Sequence, residues 1–497
     1  MILKIRLLTI TITVLTALVS HDVHAFCLGQ KTGMGYRILK NSVSLSKQIN
    51  QANTIYVIKY DYDLQNTSLT VPTNCVLEFE GGSISNGTII ANNTVIEASA
   101  VRIFNLETYL EGTWNVTYWY PEWFGAIGDG VTDDTHALQK LNGKSILLSN
   151  KTYLCSNLVF GSYTCIFGIN KFNSCLKQKD FSSGDFIRLE DWFGGTISDI
   201  RIEGGSSIKP DKSLWMQALL KLVNYTYKHN PQAPGEYNGQ DILTYYSSIN
   251  NVVIRRSSFS GLSVLGYGNT DKGKSVEHNW IHKITNIWIE QCAEYGIYDC
   301  ATDNQWSNIN VSRCGYSNLY IAGSTELFSN VKLDGESGYK LEGQSSEKIL
   351  RDRYNGAGLV LIGGNNTITG LDIQSILYKG LVIDSSRNLL IGSINNIGLG
   401  FSNSAKDQRN CPAIYFYGQK DIDSNTLILN VYNNSDSVGT CVIRHSTDMS
   451  KINNNNINIS FKPHNNNYKS AYYKAFVEDM KELKLKDNIV TLPSNIK

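Results

Sequence analysis

Short runs of alternating apolar and polar residues dominate the second half of the chain. Five segments align when each is written from its first residue: INNVVIRRSSFSGLSV from Ile249, ITNIWIEQCAEYGIYD from Ile284, WSNINVSRCGYSNLYI from Trp306, FSNVKLDGESGYKLEG from Phe328 and ITGLDIQSILYKGLVI from Ile368. The fourth and sixth positions are apolar in every segment. This alternation predicts two short strands in each copy and no helix.

The spacing of the copies indicates a solenoid. Ile284, Trp306 and Phe328 follow one another at intervals of 22 residues, and a period in the low twenties is typical of stacked repeats. Leucine-rich repeats share this period, but the segments contain no leucine ladder. We therefore expect an all-β, right-handed parallel β-helix from about Lys144 to near the C-terminus, with equivalent residues stacked at ~4.8 Å from coil to coil.

Stacking predicts a ladder of side-chain amides at one turn of each coil. The third position holds an asparagine in four of the five copies, namely Asn251, Asn286, Asn308 and Asn330. Asparagine tolerates the left-handed backbone that such turns need, and its amide can both donate and accept. We expect each of these side chains to bond to its neighbour one coil away.

Two of the ten cysteines should be stacked in the same way. Cys292 and Cys314 occupy the ninth position of adjacent copies, at a spacing that a disulfide can bridge. A pair of buried thiols fits the same placement equally well. No cysteines have the spacing of a zinc site.

The first 25 residues, 1–25, are typical of a secretory signal peptide. Lys4 and Arg6 precede an apolar run from Leu7 to Val19, and the small residue Ala25 offers a cleavage site. The run is shorter than the ~20 residues that a membrane-spanning helix needs. We expect the protein to be secreted, periplasmic or on the cell surface, without a membrane span.

Turn signals divide the remaining chain. Short alternating strands broken by Gly-Gly, Asn-Gly and Asn-Asn predict a small N-terminal β domain over 26–118, followed by the β-helix over 119–497. Interruptions of the repeat predict loop insertions near 206–248, 266–283 and 342–365. Loops on such scaffolds often carry function.

The stretch PEWFGAIGDGVTDDT, from Pro121 to Thr135, raises the question of a metal or phosphate site. The order of its acidic residues and glycines fits neither an EF-hand nor a phosphate-binding loop. The sequence DDTHALQKL instead predicts a capping helix near 132–142, with Thr132 as N-cap and both aspartates in the first turn. Its apolar side would consist of Ala137, Leu138 and Leu141. Such a helix would cover the open end of the first coil.

The segment WFGAIGDGVTDDTHALQK resembles the entry motif of the pectate-lyase-like superfamily, in its rhamnogalacturonase/epimerase-type group. The matching residues are Phe124, Gly125, Ala126, Gly128, Asp129, Gly130, Thr132, Asp133, Asp134 and Thr135. That group includes glycoside hydrolases, polysaccharide lyases, epimerases and phage tailspikes. The resemblance implies a right-handed parallel β-helix and a carbohydrate ligand, but it does not fix the reaction. The Asn-Thr-Asp of polygalacturonase-like members occurs at residues 269–271, without the later Asp-Asp, Gly-His-Gly and Arg-Ile-Lys motifs.

The charge balance narrows the range of partners. Lys and Arg number 45 against 44 Asp and Glu, so the chain as a whole exerts no attraction on nucleic acid or an anionic membrane. Only 18% of residues are charged. A polysaccharide is therefore the partner we expect, and nucleic acid is not.

Candidate chemistry is concentrated in the coils from Ile249 to Asp334. Glycosidic hydrolysis needs two carboxylates, and elimination needs a positioned base. The candidate acids and bases are Asp299, Asp303, Glu290 and Asp334. The candidate substrate-binding residues, which could pair with or stack on sugars, are Arg255, Arg313, Trp280, Trp288, Tyr295 and Tyr298. Asp299 stands in an otherwise apolar column, where a turn carboxylate and a catalytic carboxyl of raised pKa both fit.

Together these features predict a polysaccharide-active enzyme, a hydrolase or a lyase. The alternative is a non-catalytic glycan-binding or adhesin-like solenoid, which the missing catalytic motifs favour. We expect no metal site and no cofactor, except Ca²⁺ if the reaction is elimination. The expected oligomeric state is a monomer or a homotrimer.

Overall fold

The computed structural model describes residues 33–179, 184–205, 217–225, 247–277, 279–335, 356–397, 412–417, 421–432, 443–445, 451–467, 471–484 and 487–491. The predicted signal peptide, residues 1–25, lies outside these ranges. The chain forms two compact units, Met1–Ala126 and Ile127–Lys497, whereas the sequence pattern placed the division after residue 118.

The first unit is a short stack of parallel strands. Its strands are β1 (Gly35–Ile38), β2 (Thr54–Ile58), β3 (Asp61–Thr70), β4 (Val76–Phe79), β5 (Ser83–Glu97) and β6 (Thr108–Trp114). They pair in the order β1-β2-β4-β5-β3, with β6 also beside β5. One turn of helix, α1 (Leu45–Gln48), and a 3-10 turn (Pro121–Phe124) accompany them. Asn74 donates to Asn53 (3.3 Å) and Asn93 to Asn74 (2.7 Å), so this unit has an amide ladder of its own.

The second unit consists of thirty strands within the described residues. In chain order they are β7 (Asp129–Asp133), β8 (Ser145–Leu148), β9 (Thr152–Cys155), β10 (Leu158–Phe160), β11 (Cys165–Gly168), β12 (Cys175–Gln178), β13 (Ile187–Glu190), β14 (Thr196–Ser198), β15 (Arg201–Glu203), β16 (Ala218–Val223), β17 (Ser248–Ser257), β18 (Ser260–Val264), β19 (Thr270–Asp271), β20 (Lys274–Ser275), β21 (Lys283–Cys292), β22 (Tyr295–Asp299), β23 (Gln305–Ser312), β24 (Ser317–Ile321), β25 (Leu327–Asp334), β26 (Ala357–Leu361), β27 (Thr367–Gln374), β28 (Lys379–Ile383), β29 (Leu389–Asn395), β30 (Ile414–Phe416), β31 (Ile422–Asp423), β32 (Thr426–Tyr432), β33 (Ile443–His445), β34 (Ile452–Asn453), β35 (Asn456–Lys462) and β36 (Ile489–Thr491).

Two long parallel sheets run along the second unit. The ten-stranded sheet has the order β10-β13-β16-β18-β22-β24-β26-β28-β30-β33, and the sixteen-stranded sheet follows β7-β9-β12-β15-β17-β21-β23-β25-β27-β29-β32-β35-β36, with β8, β11 and β14 beside this path. Each coil contributes one strand to each sheet, which is the architecture of a parallel β-helix. Parallel crossovers of this kind are right-handed. The fold predicted from the repeat is therefore confirmed.

Two coils were hidden in predicted insertions. The sequence assigned 206–248 and 342–365 to loops, but β16 and β26 lie within these ranges and pair in register in the ten-stranded sheet. The assignment of residues 218–223 and 357–361 to loops is wrong. All six residues of β16 are buried, so its sequence ALLKLV does not alternate between apolar and polar residues. Such a run cannot be distinguished from a buried helix by its pattern alone.

The predicted asparagine ladder is present from Asn286 to Asn330, but the predicted bond between Asn251 and Asn286 is wrong. Asn308 donates to Asn286 over 3.0 Å and Asn330 donates to Asn308 over 3.2 Å. The backbone of these residues is left-handed, with φ between 54° and 56°. Asn286 donates onward to Asn250, while Asn251 donates to Asp199. These left-handed residues therefore bend the backbone in the middle of β21, β23 and β25.

A second, buried ladder was not predicted. At six steps along the turns before the long strands, the side-chain oxygen of one coil accepts the backbone N–H of the equivalent residue in the coil before it, at 2.8–2.9 Å. At the step from Asn304 to Glu326, the Asn304 side-chain amide is the donor (3.1 Å). The members of this ladder are His282, Asn304, Glu326, Asn366, Asn388, Asn425, Asn455 and Asn488, all buried. These bonds satisfy backbone donors that would otherwise be costly inside the protein.

The entry motif is architectural, as predicted, but its helix is shorter. The helix α2 spans Thr135–Gln139 with Asp134 as its N-cap. The assignment of Thr132 as N-cap and of both aspartates to the first turn is wrong, because Thr132 and Asp133 lie in β7 and Asp134 precedes the helix. Asp134 accepts the N–H groups of Ile127 (2.7 Å) and Gly128 (3.0 Å) and thereby closes the glycine-rich turn. The side chains predicted to face the coil are buried. A second helix, α3 (Ala471–Lys484), near the other end of the unit also buries apolar side chains.

Cys292 and Cys314 are stacked and buried, and both are free thiols. Burial, together with the neighbouring thiol, raises the pKa of Cys292 well above its usual value. Of the two alternatives that the sequence left open, the structure contains the pair of thiols.

Candidate functional site

The predicted site residues lie on different faces of the coil. Trp288, Glu290, Asp334 and Arg255 belong to the sixteen-stranded sheet, where the register pairs Arg255 with Glu290. The register places Ser312, not Arg313, between Glu290 and Asp334. Arg313 is exposed at the following position, whose φ is 57°. Arg313 therefore does not join the register line that contains Arg255, Glu290 and Asp334.

Asp299 points into the interior of the β-helix. It has no exposed surface, and its register partners are Val264 and Ile321. Its Oδ1 accepts the Ala301 N–H at 3.1 Å, while Oδ2 has no donor among the described residues other than the adjacent Glu326 carboxyl. Burial raises the pKa of Asp299 to about 7. A raised pKa belongs to one of the two alternatives that the sequence left open for Asp299, but this burial excludes direct contact with a polymer.

Two further predicted residues lie at the turns. Asp303 is exposed with a φ of 60°. Trp280 is half-buried and forms a parallel bridge with Thr302, which bridges in turn to Ser324. Neither residue lies in one of the two long sheets.

Tyr295 and Tyr298 lie on the outer face of the ten-stranded sheet. Tyr298 stacks on Tyr320 with ring centroids 5.1 Å apart and an interplanar angle of 16°. Tyr295 lies 5.1–5.5 Å from the rings of Tyr298, Tyr320 and Tyr316. We call these four residues the tyrosine cluster. Tyr295, Tyr298 and Tyr316 retain part of their surface in solvent, so their rings are open to a ligand.

The same outer face continues from tyrosines to charged residues. Register pairing runs from Tyr320 through Tyr298, Ser263 and Lys221 to Arg188. Adjacent strands lie ~4.8 Å apart, so Lys221 and Tyr298 are separated by roughly 10 Å. One column of outward side chains is thus aromatic at one end and charged at the other.

An ionic cluster surrounds Lys221 and Arg188. Lys221 donates to Asp271 (2.7 Å) and to Asp185 (3.3 Å). Arg188 donates to Asp271 (2.8 Å), to Glu190 (2.7 Å), to Asp185 and to the Tyr225 hydroxyl. The Tyr225 hydroxyl donates to Asp271 over 2.5 Å. We call Asp185, Arg188, Lys221, Tyr225 and Asp271 the ionic cluster.

Electrostatics fix the protonation of this cluster. Burial opposes the ionisation of Asp271, but Lys221, Tyr225 and Arg188 outweigh it and hold its pKa well below the usual value. Burial and the Asp271 carboxylate raise the pKa of Tyr225. At neutral pH, Asp271 is therefore an anion and Tyr225 a neutral O–H donor.

The hairpin of β19 and β20 holds the ionic cluster in place. Its Asp271 reaches the outer face of the sheet, although it belongs to the loop predicted near 266–283. Tyr225 and Tyr298 both pack against the buried apolar cluster of Val223, Leu265 and Val276, the last of which follows β20. Contacts of the hairpin thus connect the two clusters on this face.

Glu294 adds a neutral acid beside the tyrosine cluster. It is 5% exposed, and burial raises its pKa to about 8 despite a hydrogen bond with Ser260. A carboxyl of this kind is protonated at neutral pH and can donate a proton. Glu294 was not predicted, because a single glutamate before a strand resembles any surface residue.

The sequence also missed Asp271, although it noted the tripeptide that contains it. Lys221 and Arg188 were missed because apolar neighbours surround them in the sequence. Their only signal is a cation within a continuous apolar strand, which requires a buried anion as partner.

Within the described ranges, no group of three or more His, Cys, Asp or Glu residues could hold a metal ion. The aspartates of the entry motif are engaged locally. Asp129 accepts from Val131 and Thr132 (2.7–2.8 Å), and Asp133 from Thr135 and Lys179. Among the helices the structure describes, none has the length and hydropathy of a membrane span.

Comparisons with known proteins give one relative in sequence. A capsule K30/K69-specific depolymerase of Klebsiella phage K64-1 is 31% identical over 134 residues, which cover 25% of this chain and 15% of the relative. No family model matches the chain.

Solved structures with similar folds are more distant. Tailspike protein 2 of an Escherichia coli O157:H7 bacteriophage is 18% identical with a TM-score of 0.49, covering 70% of this chain and 42% of that one. The A-module of the mannuronan C-5 epimerase AlgE4 from Azotobacter vinelandii is 12% identical with a TM-score of 0.41, covering 70% and 96%. By its own coils and ladders, this chain is a right-handed parallel β-helix protein, the fold that the resemblance to the pectate-lyase-like superfamily implied.

Proposed function

We propose that this protein is an exported polysaccharide-active enzyme that binds its glycan along the outer face of the ten-stranded sheet. The observation that carries the proposal is the position of half-buried tyrosines next to a set of titratable groups with fixed protonation states. On this face, Tyr225, Tyr295 and Tyr298 offer rings to the apolar side of sugars. The hydroxyls of a glycan could pair with the adjacent polar groups.

The ionic cluster supplies the chemistry in this proposal. The Tyr225 hydroxyl donates to ionised Asp271 and accepts from Arg188, so it is oriented before a substrate arrives. A neutral phenol held between an anion and a cation can pass its proton to a leaving oxygen, and the Arg188 guanidinium, which bonds to the phenol oxygen, would stabilise the phenolate that remains. Glu294 is a second proton donor near the tyrosine cluster.

The curated relative supports the substrate class. Its name describes a depolymerase of capsule, and capsules are polysaccharides. The chain spans 15% of that relative's length, so the activity and the substrate are part of this proposal.

Non-catalytic glycan binding is the second candidate. It is favoured by the burial of the ionic cluster, in which the side chains of Asp185, Arg188, Lys221 and Asp271 are at most 4% exposed. Buried and fully paired charges can simply anchor the hairpin. In that case the tyrosine cluster would bind a glycan without cleaving it.

The test is incubation of the protein with capsular, plant and algal polysaccharides. New reducing ends with the absorbance of an unsaturated uronate would indicate elimination, and new reducing ends alone would indicate hydrolysis. Tyr225→Phe keeps the ring and removes the hydroxyl, so turnover should fall by roughly 10²-fold or more while binding persists.

Controls separate binding from chemistry. Tyr298→Ala should weaken binding by about tenfold, whereas Tyr298→Phe should retain it. Trp288→Ala is the matched control, because this exposed aromatic belongs to the other sheet. Retained turnover in Tyr225→Phe would remove the ionic cluster from the mechanism, and binding without any product would favour the second candidate.

A further inference from the structure

The first unit contains a cavity of about 340 Å³ that none of the features above explains. It lies between the segment around α1 and the strand β3. Its volume is at the lower end of the roughly 300–1,000 Å³ typical of small-molecule sites. That volume suits one or two sugar units.

Polar groups dominate the lining. They include Ser42, Ser44, Ser46, Asp63 and Gln65. Serine hydroxyls and the Gln65 amide both donate and accept, and carboxylates accept from hydroxyl groups. A ligand that offers many hydroxyls matches this set.

One buried side chain in the wall is only weakly hydrogen-bonded. Tyr62 is 7% exposed, and among the described residues the Gln48 side chain interacts with its hydroxyl without the geometry of a full hydrogen bond. The Gln48 amide is already bonded to Lys40 and Val43. A buried hydroxyl with so weak a partner is costly, and a ligand hydroxyl or a water in the cavity would complete its bonding.

The charges of the lining select the ligand further. Asp61 and Asp63 lie in the wall, and no Lys, Arg or His is among the described residues that line it. Asp61 already accepts from Ser83 (2.7 Å), and Asp63 accepts the Gln65 N–H (2.8 Å), so both carboxylates are fixed in position. This environment disfavours uronic acids and sulfated sugars.

The backbone around the cavity is shaped by a local irregularity. Between Asp63 and Thr67 the register of β3 against β5 shifts, and Gln65 and Asn66 have left-handed backbone, with φ of 53° and 60°. The shift raises a small loop beside the strand, which provides one wall. The Thr67 hydroxyl closes this loop on the Leu64 carbonyl at 2.6 Å.

From these observations we propose that the first unit carries a binding site for a neutral mono- or disaccharide. The site is separate from the ten-stranded sheet and does not depend on the function proposed there. A glycan-binding unit of this kind would keep the chain on a polysaccharide surface whether or not the second unit cleaves it.

The experiment is titration of the full chain with neutral and acidic mono- and disaccharides, followed by ligand-observed NMR and calorimetry. Ser68→Arg places a long side chain from β3 into the cavity, and Ser68 is exposed, so the fold should persist. Thr70→Arg is the matched control: it lies two residues along the same strand, on the same face, outside the lining.

We expect millimolar or tighter binding of neutral sugars, loss of at least tenfold in affinity in Ser68→Arg, and no change in Thr70→Arg. Asp63→Asn should weaken binding several-fold without changing the melting temperature. Turnover of polymer by the second unit should be the same in all three variants. Preference for acidic sugars, equal affinity in Ser68→Arg and Thr70→Arg, or binding of a divalent cation alone would overturn the proposal.

Discussion

The buried carboxyl pair of Asp299 and Glu326 makes the stability of the β-helix depend on pH. Both groups lie inside the coil, and burial raises both pKa values. Glu326 accepts from Asn304 (3.1 Å) and from the Trp306 ring N–H (2.7 Å), whereas Asp299 has only the Ala301 N–H and the Glu326 carboxyl among the described residues. The pair is therefore most stable when it is protonated.

The difference in the Asp299 pKa between the folded and the unfolded protein gives the sign and the size of the pH effect on the free energy of unfolding. In the unfolded chain Asp299 would ionise near pH 4, but in the folded protein its pKa is about 7. Below pH 4, Asp299 is protonated in both the folded and the unfolded protein, so the free energy of unfolding does not change through this group. Between pH 4 and 7 only the unfolded state ionises, so the free energy of unfolding falls as pH rises, by on the order of 4 kcal/mol. Above pH 7 the loss is constant.

The perturbation is Asp299→Asn, which keeps the acceptor for Ala301 and cannot ionise. For a unit of roughly 370 residues, unfolding entropies near 2 cal/mol/K per residue convert 4 kcal/mol into about 5 °C. Relative to the parent, the variant should melt at the same temperature or lower at pH 4 and about 5 °C higher at pH 8. Differential scanning fluorimetry across this range measures the difference.

Asp303→Asn is the control for this series. It removes an exposed carboxylate four residues further along the chain, so its melting curve should follow the parent at every pH. If Asp299→Asn and the parent lose stability in parallel between pH 4 and 7, the carboxyl pair is not protonated in the folded protein and does not cause the pH dependence.

Three further outcomes test other parts of the structure. Asp271→Asn leaves the buried Lys221 and Arg188 with Asp185 as their shared buried anion, so it should cost roughly 3–5 kcal/mol locally and make the hairpin sensitive to limited proteolysis. Asn308→Ala breaks the exposed ladder and puts alanine at a φ of 55°, which should destabilise by about 1–2 kcal/mol; Asn308→Gly should cost less, and equal costs would exclude a backbone effect. Gly296→Ala would place a Cβ 2.1 Å from Val311 Cγ1, so purification yield and melting temperature should both fall, and an unchanged melting temperature would show that the coils are not as closely packed.

The repeat made the fold predictable because stacking copies the same side chain at the same place. Asn308 and Cys314 could be placed against their neighbours from the repeat alone, since a period of 22 residues defines the coil. Strand β16 could not, because its outward Lys221 is covered and the strand loses the alternation that marks a half-exposed sheet.

The candidate site was less predictable than the fold. Tyr295 and Tyr298 were identified because aromatic residues cluster in this part of the repeat. Asp271 and Arg188 are 83 residues apart in the chain, and Asp271 lies in the hairpin of β19 and β20, outside the two long sheets. Such contacts depend on the path of a loop across the sheet, and the repeat pattern gives no information about that path.

The direction of the buried ladder has a consequence for synthesis. Each side-chain oxygen accepts from the coil before it, so an emerging coil keeps an unsatisfied amide until the next one has left the ribosome. Each newly synthesised coil therefore stabilises the coil that left the ribosome just before it. A nascent chain halted between layers should expose unpaired backbone N–H groups at its last coil, and the Asn455 N–H would be satisfied only after Asn488 has been made.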